Sequence, residues 1–122
     1  MTKYIKKDHP DIGTSSLEET VDAIFSHLLN KAPCSVIAEM KPDEKSVIWH
    51  SSDNPRNVIF KCPSRQFRAL LARIGHYYLN DQLHEGFGII NLGFEGDDKV
   101  FSARIYLANH SLTGYWIRIY VN

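Results

Sequence analysis

Two runs close to the C-terminus constrain this chain more than anything else in it. Residues 99–107, "KVFSARIYL", set Phe101, Ala103, Ile105 and Leu107 against Val100, Ser102, Arg104 and Tyr106. Residues 115–121, "YWIRIYV", set Tyr115, Ile117, Ile119 and Val121 against Trp116, Arg118 and Tyr120. Side chains of a strand point alternately to opposite faces, so in each run one face is the more apolar and the other carries aromatic and cationic groups. β-Branched and aromatic residues fit such a pleated surface. The stretch between them, Ala108 to Gly114, holds Asn, His, Ser, Thr and Gly, whose small or absent side chains suit connections. An antiparallel pair of strands is the expectation.

Asn109, His110 and Ser111 also invite a catalytic reading. Nucleophilic catalysis needs a base within hydrogen-bond reach of a hydroxyl and a third group orienting that base. Neighbours in sequence rarely reach that geometry, and no nucleophile elbow surrounds Ser111. The three residues are read as connection, and no catalytic residue is expected.

The rest of the chain is punctuated in the same way. Ser15 with Glu18, or equally Ser16 with Glu19, makes a capping box ahead of Leu17, Val21, Ile24 and Leu28 at helical spacing, and Pro33 ends that helix. "CSVIAEM" (34–40) and "SVIWHS" (46–51) read as a hairpin around Pro42-Asp43, with "NVIFKC" (57–62) as a third strand. Pro63-Ser64 opens a second helix running to about Leu79. It gathers Phe67, Leu70, Leu71, Ile74, Tyr77 and Tyr78 on one side and Arg65, Arg68, Arg73 and His76 on the other. "FGIINLGF" (87–94) is a further strand, in which Gly88 and Gly93, with Gly86 just before, hint at close backbone approach.

Residues 1–14, rich in Lys and Asp and broken by Pro10 and Gly13, read as a tail or linker, at most a short edge segment. Residues 15–122 then form a single α+β domain: an antiparallel sheet of five to six strands with two helices packed on one face, in the order α-β-β-β-α-β-β-β.

Charge and cysteine usage narrow the function classes. Fourteen basic residues balance fourteen acidic ones, so no global field favours nucleic acid or an anionic membrane. No apolar run approaches the ~20 residues of a membrane span, and the charged start lacks a secretory signal. Two cysteines fit a reducing compartment, so a cytoplasmic location is expected. None of the six histidines pairs with another ligand at zinc-site spacing, and no metal or cofactor is expected. Cys34 and Cys62 read as core thiols, Cys62 being the better candidate for reactivity because it stands just before a helix.

Two surfaces stand out. Arg56, Lys61, Arg65, Arg68 and Arg73 lie in a stretch with no acidic residue between Asp53 and Asp81. They form either a solvated helix face or a dock for an acidic protein. Nucleic acid is not expected, since neither an RNA-recognition strand motif nor a recognition helix accompanies the charge. The other surface is Arg104, Tyr106, Trp116, Arg118 and Tyr120, residue types that dominate interfaces. That face is either exposed or covered, a second copy of the chain being one candidate cover.

The order and punctuation of "IFSHLLNKAP", "CSVIAEMKP", Pro63, Arg73-Ile74, "GFGIINLGF", "SARIYLANHSLTG" and "YWIRIYV" resemble a known family over residues 16–121. It is the PAS-like domain that precedes the motor core in the ATPases of type II secretion and type IV pilus assembly. The family's Asp-Ile-His in its first strand is replaced by Val36-Ile37-Ala38, and its basic hairpin by "IWHSSDNP", which has no arginine. The phosphate-binding glycine-rich loop of the motor core is absent, so nothing here cradles a nucleotide's phosphates. The resemblance implies a PAS-like accessory domain rather than an ATPase, with Arg73, Arg104 and Arg118 at positions of family arginines. A non-catalytic protein-interaction domain is therefore the leading expectation. The alternative is a PAS-like small-ligand sensor, with Gly86, Gly88 and Gly93 making room between sheet and helices.

Overall fold

The computed structural model describes residues 2–6, 17–41, 43–51, 57–78, 86–110 and 114–122. The elements are β1 (Thr2–Ile5), α1 (Leu17–Asn30), β2 (Cys34–Met40), β3 (Ser46–Ser51), β4 (Val58–Pro63), α2 (Ser64–Arg73), β5 (Phe87–Phe94), β6 (Val100–His110) and β7 (Gly114–Val121), with a π-helical turn, Ile74–Tyr78, continuing α2. The expected serine caps of the first helix, at 15 and 16, lie outside the described residues.

The strands form one seven-stranded sheet in the order β1-β5-β6-β7-β2-β3-β4. Five of the six pairings are antiparallel and one, β1 with β5, is parallel. The expected antiparallel sheet of five to six strands is thereby overturned, in strand number and in the parallel pair. The fold is mostly β, a mixed sheet with two helices. The added strand is Thr2–Ile5, from the stretch expected to be a tail or linker, at most a short edge segment. It joins the sheet because Ile5 is buried in the core and its carbonyl accepts from Glu95 N at 2.9 Å, while Tyr4 lies over Gly93. Four residues that include Lys3 carry too little alternation to announce a strand.

The core lies on one side of this sheet. Val36, Ala38, Val47, Trp49, Cys62, Leu92, Ala103, Ile105, Leu107, Ile117, Ile119 and Val121 alternate inward and join residues of both helices in one cluster. Residues side by side in the ladder share a face, as in Ile105↔Ile119 and Val36↔Ile119, so the pairing registers carry the pattern across the sheet. Burying one such side chain stabilises the fold by roughly 1.5–3 kcal/mol. Helix α1 touches α2 as well as β1, β2 and β5, which is why Phe25 and Leu29 are buried beside the expected Val21, Ile24 and Leu28. Helix α2 contributes Phe67, Leu70 and Leu71 and reaches β3, β4, β6 and β7. Trp49 sits between Phe60, stacked at 5.3 Å, and Phe67, edge-on at 5.6 Å.

Candidate functional site

The outward positions of the same strands build the candidate site. On β7 they are Trp116, Arg118 and Tyr120; on β6, Arg104 and Tyr106; on β2, Ile37 and Glu39. Together they line a groove of about 660 Å³ on the open side of the sheet. The register explains the clustering. Arg104 is paired with Tyr120, Tyr106 with Arg118, and Glu39 with Trp116, so cationic and aromatic residues form a checkerboard across neighbouring strands. The Arg104 guanidinium lies 5.5 Å from the Tyr120 ring centre, and Arg118 Nη1 donates to the Tyr120 hydroxyl at 3.4 Å. Ring contacts extend the row, Tyr106 edge-on to Tyr120 at 6.0 Å and Phe87 tilted against Tyr106 at 4.8 Å.

A second groove of about 660 Å³ adjoins the first, sharing Ile37 and Glu39 and adding Ile48, His50 and Lys45 among others. The apolar character of this side runs on to its edges. Tyr4, Ile48, Ile89 and Val100 occupy outward positions and are between 45% and 59% exposed. A one-sided antiparallel sheet ordinarily shows alternation of apolar-in with polar-out. Here the outward set mixes polar residues with several large apolar and aromatic ones.

The sequence reading named eight partner-binding candidates, and the structure divides them. Arg104, Tyr106, Trp116, Arg118 and Tyr120 come together in the groove. Arg65 and Arg68 are exposed on α2, on the core side of the sheet, where the Arg68 guanidinium lies 5.9 Å from the ring of Tyr115. Arg73, in the last turn of α2, is half-buried with its Nε shut off from solvent. The eight therefore do not make one surface, because the sheet separates the helix arginines from the strand arginines. Ile37, Glu39 and Phe87 are the residues that the sequence reading missed. The alternation of "CSVIAEM" already placed Ile37 and Glu39 on one face, but not that β2 lies beside β7.

The remaining chemical candidates resolve as follows. Strand β6 continues to His110, which pairs with Gly114, so Ala108, Asn109 and His110 belong to the strand rather than to the connection; Ser111 lies outside the described residues. Neither Cys34 nor Cys62 is in a disulfide. Burial pushes the Cys62 thiol up, and the neighbouring Trp49 indole, which reaches no hydrogen-bonding geometry, offsets this only in part. Cys62 is thus a protonated core thiol, and its expected advantage from standing before a helix is lost to desolvation. Cys34 Sγ lies 3.2 Å from the Leu28 carbonyl, to which it donates. His27 is half-buried, beside Cys34, Ser51 and Asn57 in a small cleft of about 120 Å³, and burial together with Lys31 lowers its pKa.

Among the described residues, no group of three His, Cys, Asp or Glu side chains is placed to hold a metal, and no helix is long and apolar enough to cross a membrane. The layer where a sensor's pocket was expected is occupied by Trp49, Phe25, Phe67, Leu28, Leu70, Leu71 and Ile74, all fully buried. The glycines serve other ends. A Cβ at Gly86 would stand 2.5 Å from the Leu107 carbonyl oxygen, and Gly93 receives the Tyr4 ring. No protein-family model matches the chain, and no curated protein sequence matches it.

Proposed function

We propose that this chain is a non-catalytic interaction domain that binds a protein partner through the open side of its sheet. The observation that carries the reading is the composition of the outward strand positions. Trp116, Tyr106 and Tyr120 are half-buried around two exposed guanidiniums, in a setting where a solvated sheet would present small or polar residues. Aromatic residues and arginine are enriched at interfaces because they bring large contact area and directional polar groups together. A role as an accessory part of a secretion- or pilus-type assembly is the wider setting of this proposal, and it is supported by the sequence resemblance alone.

The test is photocrosslinking in the native cell, with a benzophenone side chain placed at position 120 or, as the control, at position 65. Crosslinks to protein from position 120 and none from position 65 support the reading. Silence at 120, or equal labelling from both positions, removes it.

A further inference from the structure

Resting on that reading and naming its partner, we infer that the open side of the sheet is covered by a second copy of this chain, giving a face-to-face sandwich of two sheets. Three features argue for this occupant.

The first is self-complementary charge. The groove holds one carboxylate, Glu39, on the strand next to that of Arg118, with Arg104 one strand further on. Among the described residues these three make no ion pair with one another. A two-fold axis near the β7–β2 boundary, running between Arg118 and Glu39, would set Arg118 of each copy over Glu39 of the other, and symmetry supplies the contact twice. A purely acidic partner would leave Glu39 opposed by like charge.

The second is size. Six inter-strand spacings of about 4.8 Å and a β7 of about 27 Å give a face of about 780 Å². That is close to the share of roughly 800 Å² that each partner gives to a standard stable interface. The third is continuity. Exposed Tyr4, Ile89 and Val100 extend the apolar character beyond the central groove on the β5 side, and Ile48 stands among charged residues on the β3 side, so the surface is wider than one ligand-sized spot. Two sheets facing each other pack about 10 Å apart with interdigitating side chains, and large aromatic residues can fill such a layer.

Sedimentation equilibrium of the full chain tests this, read beside far-UV circular dichroism as a check on folding. The wild type is expected to be a dimer at micromolar concentration. Arg118→Glu should shift the midpoint of association to at least about tenfold higher concentration, because it sets like charges across the axis. Glu39→Arg combined with Arg118→Glu should restore association, since the swapped pair is again complementary. A wild type that stays monomeric at high micromolar concentration overturns the inference, as does a dimer indifferent to both variants. If the chain is a monomer and position 120 still crosslinks, to a different protein, the interaction reading stands and only the second copy falls.

Discussion

The two sides of the sheet are built from the same strands by the same alternation, yet they hold opposite kinds of side chain. Along β7, Ile117, Ile119 and Val121 are buried with the helices, while Trp116 and Tyr120 are half-buried and Arg118 is exposed on the other side. From Ile117 onward the inward residues of β7 are aliphatic and fill volume. The outward set joins ring faces to guanidinium groups, a combination that is costly to leave half-wet and well suited to a partner. The inward side is the part of the molecule devoted to folding. The outward side is the part whose composition folding does not explain.

Substitutions on adjacent residues of one strand break this comparison most sharply. Ile119→Ala should cost about 2–5 kcal/mol in chemical denaturation, since a fully buried isoleucine leaves a cavity. Tyr120→Ala, measured in dilute solution where association is absent, should cost less, about 1 kcal/mol, for the lost cross-strand contacts with Tyr106 and Arg104. Equal losses at both positions would mean that the open side also sustains the monomer.

A smaller loss is expected at Gly86, where β5 is about to begin. Its φ is +77°, its carbonyl accepts from Leu107 N at 2.7 Å, and an added Cβ would meet the Leu107 oxygen. Gly86→Ala should therefore destabilise by about 1–3 kcal/mol and lower the thermal midpoint. Because the neighbouring Phe87 packs against Tyr106, the substitution should also weaken any association that uses the open side. A variant as stable as the wild type would show that the turn relaxes freely.

The smallest effect sits at the rim of the core side. In the folded chain, burial and Lys31 hold the His27 pKa below its ordinary 6.5, so the unfolded chain takes up that proton first as the pH falls. The contribution is present above about pH 6.5 and is lost as the pH drops through the lowered folded value. His27→Gln should flatten the dependence of the urea midpoint on pH in that range, and identical slopes for the two proteins would contradict the assignment.

Much of the local structure was legible, for identifiable reasons. Strands β6 and β7 declare themselves because their inward and outward residues differ so strongly, and α2 because Phe67, Leu70, Leu71 and Ile74 keep helical spacing. Strand β1 was not legible. A four-residue edge strand owes its place to a parallel pairing with β5, far away in sequence, and no local pattern encodes that. The candidate site was half legible. Alternation grouped Arg104 with Tyr106 and Trp116 with Arg118 and Tyr120, but only the strand order brings Ile37 and Glu39 beside them. Which side of the sheet receives α2 is likewise a tertiary fact, and it separates Arg65 and Arg68 from the strand arginines.

The central claim, that the outward side is covered in the associated protein, can be read from the two tryptophans themselves. Trp49 is fully buried in the core and serves as an internal reference, whereas Trp116 lines the open groove. Acrylamide quenching of the intrinsic fluorescence should weaken as protein concentration rises through the association midpoint, and Trp116→Phe should abolish that concentration dependence. A wild-type quenching constant that stays the same from dilute to concentrated solution would contradict the account.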